Sequence, residues 1–407
     1  MTGNTDINGN FFLRYGMFKS KIVFFVILPF LFFSCDSHDS QVAVTNDAKT
    51  PVINAVSCEY LDVKTAVESV TDSMIVNIPA GDCNWGTNTL SVPGGVHLCG
   101  AGNNQTIIRR VGNTSNFLIV FNGEIGKPVS FSGITLMGNG DAEIDDGGLI
   151  IKDSQDFKVW GSEFSDFNAA AISVSYQNSQ NLPQRGLIFK NSFFNNFRHD
   201  SDRTVQMGYG VVVYGNGTWP DLDLGSQNAV FIEDNYFYGN RHDIASNNGS
   251  VYVFRYNTIV CTDVGMDYSK TDAHGLSSSE RGSRSYEIYN NVYTTEFSGN
   301  GMQRAAIGIR GGDGVIFNNS VHGWFSSVVE LSVEYPAKTQ SEISQMEHPV
   351  QDQIQSLYVW NNYASQSNPD GIANNCPVLL VQDREYFLEA KPGYTPYVYP
   401  HPLRGVQ

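Results

Sequence analysis

The chain has 407 residues, of which 41% are apolar and 12% aromatic, so it can bury a large core. Charged residues make up only 16% and the net charge is −16, which argues against nucleic acid as a partner, since such binding needs concentrated Lys and Arg. Gly, Asn, Ser, Tyr and Phe are abundant, a composition that favours short strands and turns over helices.

The first segment has the features of an export signal. Lys19 and Lys21 precede an apolar run over residues 22–33, which is too short for a comfortable membrane span. The sequence LFFSC, ending at Cys35, resembles a bacterial lipobox, in which the cysteine is acylated and becomes the mature N-terminus. We therefore expect residues 1–35 to be an N-terminal extension and lipoprotein signal peptide, and residues 36–55 to be a polar tether.

A lipidated Cys35 places the protein in the bacterial cell envelope, at the outer membrane or the cell surface, and secretion without an anchor is the alternative. Export also permits disulfides. Cys58 and Cys83 flank the first folded segment, so a bridge between them is compatible with the sequence. No cysteine or histidine pair has the spacing of a structural zinc site.

The folded part opens with a short amphipathic helix over residues 60–70, which has apolar residues at positions 63, 66, 67 and 70. A strand ending in IPAG (residues 78–81) and a GAG turn (residues 100–102) follow. This succession resembles the N-terminal cap and first coil of the pectate-lyase-like β-helix superfamily. The resemblance implies a right-handed parallel β-helix whose open apolar end is covered by the helix.

A repeat runs through the rest of the chain. Its pattern is an apolar residue, two variable residues, Asn or a small residue, one variable residue, and an apolar or aromatic residue. The pattern occurs at 131–136, 159–164, 188–193, 232–237, 254–259, 288–293, 316–321 and 359–364. Several copies are 22 to 29 residues apart, which suits a coil of three short strands and is too short for a propeller blade of about 40 residues.

The recurring asparagine predicts an inward ladder at a turn, where its amide satisfies backbone groups of neighbouring coils and where Asn tolerates a left-handed conformation. We therefore predict an all-β fold, a β-helix domain over residues 56–365, and a C-terminal tail over residues 366–407 that packs on or caps the solenoid. We expect a monomer.

Polar residues that interrupt the solenoid pattern are densest between Arg241 and Glu287. If the apolar residues at 244, 273, 309 and 329 face the core, their neighbours face solvent on one wall. This register predicts that Asp243 and Asp272 stack on one side of the column, and His274, Arg310 and Glu330 on the other. Adjacent coils about 4.8 Å apart would bring these groups within reach of one sugar unit.

The segments around His242, Arg255, His274 and Arg284 also resemble bacterial proteins of the pectate-lyase-like type, which implies a polysaccharide ligand. We predict a polysaccharide lyase that acts by β-elimination on a uronic-acid polysaccharide. Such a reaction needs a cation near the carboxylate, a base for the α-proton and an acid for the leaving oxygen. The candidates are Arg310, Arg284 or Arg255 as the cation, His274 or His242 as the base, Tyr268 as the acid, Asp272 as a further catalytic carboxylate, and Asp243, Lys270, Arg281 and Glu330 as substrate-binding residues.

Three alternatives remain open. Calcium can replace the arginines, with Asp243, Asp263, Asp267 or Asp272 as oxygen ligands. A glycoside hydrolase would use Asp272 together with Asp243 or Glu330 as paired carboxylates. A surface adhesin would instead bind glycans on aromatic platforms formed by residues such as Trp160, Tyr214 and Trp360.

Overall fold

The structure is a computed structural model, and it describes residues 50–71, 73–140, 144–176, 183–199, 206–262, 268–277, 279, 281–296, 304–365 and 371–405. The predicted lipid anchor at Cys35 and most of the predicted tether lie outside these residues. Within them, no helix combines the length and apolar character needed to cross a membrane.

Three long parallel sheets make up the molecule, and the chain visits them in the order sheet 1, sheet 2, sheet 3 in each coil. Sheet 1 consists of Val52–Asn54, Met74–Ile78, Val96–Gly100, Ser130–Ser132, Phe157–Trp160, Gly186–Phe189, Val230–Glu233, Val251–Arg255, Ser285–Tyr289, Asp313–Phe317, Leu357–Trp360 and Tyr386–Phe387. Sheet 2 consists of Gly81–Gly86, Thr106–Arg110, Thr135–Met137, Glu163–Ser165, Ser192–Phe194, Tyr236–Tyr238, Thr258–Cys261, Val292–Thr295, Ser320–Val321 and Tyr363–Ala364. Sheet 3 consists of Leu90–Pro93, Phe117–Asn122, Gly147–Lys152, Ala170–Ser175, Tyr209–Tyr214, His242–Asn247, Thr271–Ala273, Ile307–Ile309, Val329–Leu331 and Ile372–Asn374.

Helices and antiparallel pairing are minor features of the described chain. The helices are Tyr60–Glu68 and Gln340–Ile343, with a 3₁₀ turn at Pro402–Gly405, and Arg198–His199 pairs antiparallel with Gln206–Met207. The first helix buries Val63, Ala66 and Val67 against the N-terminal coil. A disulfide joins Cys58 to Cys83, with 5.8 Å between their Cα atoms. The predicted all-β solenoid with an N-terminal capping helix is thus confirmed.

The repeat places its two apolar positions on different sheets, and both point inward. In the copy at residues 188–193, Ile188 lies in sheet 1 and Phe193 in sheet 2, and both are fully buried. Phe193 stacks on Phe164 of the preceding coil and on Phe237 of the next, with ring centroids 5.3 and 4.6 Å apart. Equivalent side chains of successive coils therefore form continuous interior stacks.

The predicted asparagine ladder lies at the turn between sheets 1 and 2. The amide oxygen of Asn235 accepts hydrogen bonds from the backbone N–H and the side chain of Asn191, at 3.0 and 3.1 Å. The same pattern links the successive ladder residues Asn191, Asn235, Asn257, Asn291, Asn319 and Asn362.

The left-handed conformation at this turn belongs to the residue before each ladder asparagine, which corrects our expectation. Lys190, Asp234 and Tyr256 have φ angles of 54°, 57° and 56°. The ladder asparagine itself is selected for its buried amide. That of Asn235 donates to Ile188 of the preceding coil and to Asn257 of the next, and it accepts from Asn191 of the preceding coil.

Candidate active site

Three consecutive strands of sheet 3 position a cluster of charged side chains on the outer face of the solenoid. Asp272 pairs in register with Gly308, which pairs with Glu330, so these residues share one column. Their neighbours Ala273 and Ile309 point into the core. His274 and Arg310 lie one residue past their strands, and their amides continue the ladder by donating to the carbonyls of Ser246 and Ala273.

Arg310 connects two carboxylates. Its Nε and Nη2 donate to Oδ1 and Oδ2 of Asp272 at 3.1 and 2.5 Å, a bidentate pair. Its Nη1 donates to Oε1 of Glu334 at 2.8 Å. The charge of Arg310 is therefore already offset by two acidic groups.

His274 lies between the same two carboxylates. Its Nε2 is 3.1 Å from Asp272 Oδ2, and its Nδ1 is 3.1 Å from Glu334 Oε2, which also accepts a hydrogen bond from the amide of Gly275. Burial disfavours the charged imidazole, but the charge of Asp272 and the hydrogen bonds to Asp272 and Glu334 together outweigh it and raise the pKa of His274. A protonated ring can donate to both carboxylates at once.

His242 approaches Asp272 from the preceding coil and has the opposite character. Its Nδ1 is 2.5 Å from the carbonyl oxygen of Ser269, so Nδ1 carries the proton and Nε2 has a free lone pair. That Nε2 is 3.9 Å from Asp272 Oδ2, beyond hydrogen-bonding distance. Burial, together with the charge of Arg241, holds the pKa of His242 well below its ordinary value.

Asp272 itself remains ionised. Burial alone would raise its pKa, but the charges of Arg310 and His274 hold the pKa well below the usual range of a carboxyl group. The arrangement thus holds a neutral and a protonated imidazole around one carboxylate oxygen.

Aromatic rings flank His242. The ring of Tyr209 stacks nearly parallel to His242, with centroids 5.7 Å apart and 11° between the planes. The predicted acid Tyr268 meets His242 edge-on at 5.6 Å. The structure therefore brings His242, Tyr268, Asp272, His274 and Arg310 together.

Two predicted substrate-binding residues, Asp243 and Lys270, belong to the interior instead, which is a correction. Asp243 is 1% exposed, accepts a hydrogen bond from Asn240 at 2.8 Å, and has its pKa raised to about 7 by burial. Lys270 donates from Nζ to the backbone carbonyls of Asn240 and Arg241 at 2.9 and 3.0 Å. Asp272 pairs with Ala245 of the preceding coil, so Asp243 and Asp272 do not stack.

Arg255 does not belong to the cluster either. Its side chain is completely buried on sheet 1, where Nη2 lies 2.6 Å from Glu233. Its Nη1 and Nη2 also donate to the carbonyls of Tyr397 and Val398, so C-terminal residues cover it. Arg255 is therefore not placed to act as the catalytic cation, which corrects its predicted role; the residues that cover it lie about 140 positions later in the chain, and no sequence pattern indicates such a contact.

Arg281 and Arg284 are each held by a carboxylate as well. Arg281 binds Asp352 at 2.7 Å and Arg284 binds Asp313 at 3.0 Å. Both guanidinium groups also pack on the ring of Trp219, at 4.2 and 4.9 Å from its centroid. These contacts fix a loop on the solenoid and give neither arginine a free charge.

Glu330 lies in the column of Asp272 rather than in that of His274 and Arg310, which corrects the predicted arrangement. Its Oε1 accepts hydrogen bonds from Arg304 at 3.0 Å and from Asn375 at 2.8 Å. Gly308 separates it from Asp272 and leaves a gap in the column.

The proposed calcium ligands do not come together where the structure describes them. Asp243 is interior and Asp272 binds Arg310, whereas Asp263 and Asp267 lie outside the described residues. Among the described residues, no group of three or more His, Cys, Asp or Glu side chains is arranged to hold a metal ion.

Glu334 is the member of the cluster that the sequence did not indicate. It lies beyond strand Val329–Leu331, in a stretch without a repeat or motif. Glu334 lies four residues after Glu330, but a spacing of four residues does not predict that two side chains are close together in an extended segment.

No model of a protein family matches the sequence, and a search of curated proteins gave no match. Among solved structures, ORF18 of Geobacillus virus E2 is similar, with a TM-score of 0.48, 13% identity, and coverage of 77% of this chain and 56% of that one. The A-module of the mannuronan C-5 epimerase AlgE6 from Azotobacter vinelandii gives a TM-score of 0.46, 14% identity and coverage of 77% and 88%. An alginate lyase from Paenibacillus sp. gives a TM-score of 0.40, 12% identity and coverage of 80% and 95%.

The fold is seen directly in the sheets of this chain. Parallel strands of successive coils pair in register in all three sheets. The chain is a right-handed parallel β-helix protein.

Proposed function

We propose that the protein is a carbohydrate-active enzyme, a polysaccharide lyase that cleaves a uronic-acid polysaccharide by β-elimination. The observation that carries the proposal is that Nε2 of His242 and Nε2 of His274 both face Oδ2 of Asp272, at 3.9 and 3.1 Å. Two titratable groups whose surroundings push their pKa values apart are suited to act as base and acid in one reaction.

In this reaction His242 Nε2 removes the proton on the sugar carbon next to the carboxylate. The electron pair left behind forms a carbon–carbon double bond, the bond to the glycosidic oxygen breaks, and that oxygen takes a proton from His274. Asp272 stabilises the imidazolium that forms at His242, and Arg310 keeps Asp272 ionised. Tyr268, beside His242, is the alternative proton donor.

The test is depolymerisation of pectate, alginate and glycosaminoglycans, followed by the ultraviolet absorbance of the new double bond and by reducing ends. Both signals should rise together for one polymer. His242→Gln and His274→Asn should each lose about two orders of magnitude or more in rate, the contribution of a general base or acid. His348→Asn, which removes an imidazole paired with Glu385 elsewhere, should retain activity. Full activity of His242→Gln would refute the mechanism.

Hydrolysis is the second candidate, because Asp272 and Glu330 share an outward column with only Gly308 between them. Two strand spacings put their backbones about 10 Å apart, near the separation that inverting hydrolases use. Reducing ends without the absorbance change would favour this reaction. Binding without either signal would favour an adhesin. Trp360, one of the aromatic platforms predicted for an adhesin, is in contact with the ring of C-terminal Tyr394.

We also propose that Cys35 carries a lipid that anchors the mature protein in the cell envelope. Labelling of growing cells with a radioactive fatty acid should mark the wild-type protein and not Cys35→Ser. Equal labelling of both would refute the anchor.

A further inference from the structure

Elimination requires a cation that binds the sugar carboxylate, and the predicted arginines are already occupied. The guanidinium groups of Arg310, Arg284, Arg281 and Arg255 each contact a carboxylate, at 2.5, 3.0, 2.7 and 2.6 Å. A substrate carboxylate would have to displace these internal partners.

Arg241 differs from all of them. Its guanidinium carbon lies 4.3 Å from the ring centroid of Tyr268 and 5.5 Å from that of Tyr209, so the group packs against both rings. It forms no ion pair with any described carboxylate, and its Nε is buried without a hydrogen-bond partner. The two rings compensate only part of the cost of removing a guanidinium group from water.

We propose that Arg241 binds the carboxylate of the sugar unit from which His242 removes a proton, and that it thereby makes the site specific for anionic polysaccharides. This inference rests on the proposed function and deepens it. A carboxylate is a planar group with two acceptor oxygens, which matches the two terminal nitrogens of a guanidinium.

The position of Arg241 agrees with this role. Tyr209 and Tyr268, the rings that contact Arg241, are also the rings that flank His242. The proton removed in elimination is on the carbon that bears the carboxylate, so the cation and the base must contact the same sugar. Arg241 and His242, adjacent in sequence and sharing two aromatic neighbours, meet this requirement.

Arg241 also influences how strong a base His242 is. Burial and the charges of Arg241 and Arg310 lower the pKa of His242. The Asp272 carboxylate and the carbonyl of Ser269 raise it. A bound carboxylate offsets the charge of Arg241 and so raises the pKa of His242. The base therefore becomes stronger when an anionic sugar is bound.

The experiment compares the polymer that the enzyme cleaves with the same polymer after methyl esterification of its carboxylates. Equilibrium binding and kcat/KM are measured for the full chain, for Arg241→Gln, for Arg241→Lys and for Arg185→Gln as the control. Arg185 forms a partly exposed ion pair with Asp156 on another face. The ring of His242 is titrated by NMR in the same proteins.

Wild-type protein and Arg185→Gln should prefer the acid form, and Arg241→Gln should lose about 10- to 100-fold in affinity for that form alone, as expected for a charge-assisted pair. Arg241→Lys should keep part of the preference, and His242 should titrate at higher pH in Arg241→Gln. An unchanged acid preference in Arg241→Gln overturns this inference while elimination stands. If wild-type protein neither cleaves nor binds any uronate polymer, the proposed function and this inference both fail.

Discussion

At Asp272, burial and charge act in opposite directions. A carboxyl group with so little exposure would normally take up a proton, but Arg310 donates two hydrogen bonds to it and His274 supplies a second cation. The ionised form is the one that can stabilise a newly formed imidazolium at His242. The residues around Asp272 therefore determine its charge before any substrate arrives.

Glu334 should control the protonation of His274. Replacing it by Gln removes a carboxylate from Nδ1, so the pKa of His274 should fall, and the alkaline limb of the pH–rate profile should move to lower pH. NMR titration of the His274 ring and kcat/KM profiles measure the two effects. Glu334→Asp should restore part of the shift, and the exposed Glu389→Gln serves as the control. An unmoved His274 titration would contradict this role.

Activity of the wild-type enzyme should follow a bell-shaped pH profile. His242 has to be neutral, and its lowered pKa places the acidic limb below about 6.5, whereas the raised pKa of His274 places the alkaline limb above that value. The measurement is kcat/KM against pH on the cleaved polymer. A rate that keeps rising at alkaline pH would exclude protonated His274 as the acid.

Sequence reasoning recovered part of this site. Asp272, His274 and Arg310 could be predicted because they flank inward residues at a period of two. Asp243 could not be placed, because two consecutive residues, Asp243 and Ile244, are both buried where the strand enters sheet 3 and the alternation fails there. Glu334 could not be found because its position depends on the path of the chain after a strand.

At the scale of the element, the asparagine ladder links the coils through buried amides. Asn257 donates to the carbonyl of Ile232 and to Asn291, and accepts from the backbone and side chain of Asn235. The repeat made this element predictable, since the same residue type at the same position must satisfy the same neighbours. We expected the left-handed conformation at the asparagine itself, but the residue before it adopts that conformation. The position was missed because its residue type differs from coil to coil.

Asn257→Ala should destabilise the protein by roughly 2–4 kcal/mol, because several buried donors and acceptors on both neighbouring coils lose their partners. Asn122, which is exposed and donates to Ser91 on sheet 3, provides the control, and Asn122→Ala should change stability by less than about 0.5 kcal/mol. Urea unfolding measures both. Equal effects would show that the ladder amides contribute no more than a surface amide.

At the scale of the whole molecule, the C-terminal segment covers the outer face of sheet 1. His401 packs on Phe231 at 4.5 Å, and Arg404 forms an ion pair with the buried Glu233 at 2.6 Å. Tyr394 donates from its hydroxyl to Glu287 at 2.5 Å. The C-terminal segment therefore shields this face of sheet 1 from solvent. Arg255 lies on this face, and it was predicted to be catalytic because contacts between residues so far apart in the chain leave no pattern in the sequence.

Arg255→Ala should cost about 3–5 kcal/mol, because it leaves Glu233 with less compensation in a fully buried position. Its kcat/KM below the unfolding temperature should equal that of wild type, since Arg255 does not reach the cluster on sheet 3. Arg185→Ala, with a partly exposed pair, should cost at most about 1 kcal/mol. A stable but inactive Arg255→Ala would return this residue to the catalytic candidates.

Acid should loosen the attachment of the C-terminal segment through His401. Burial, with the charges of Arg255 and Arg404, lowers the pKa of His401 to about 4, whereas the unfolded chain takes up this proton near 6.5. The unfolded state binds the proton first as the pH falls, so stability should be lost progressively from about 6.5 towards 4. Urea unfolding of wild type and His401→Asn over this range isolates the contribution, because His242 titrates in both proteins. Parallel stability curves for the two would rule out His401 as the cause.

In the three parallel sheets, strands pair with strands of the neighbouring coils, and this has a consequence for how such a protein can change over generations. The cluster occupies consecutive coils from His242 to Glu334, and none of its charged groups comes from the described residues before Tyr209. Duplication or loss of one earlier coil would alter the length of the outer face by about 4.8 Å and leave the chemical groups in place. The length of polymer that the surface can span and the reaction performed on it are therefore separable traits, open to selection one at a time.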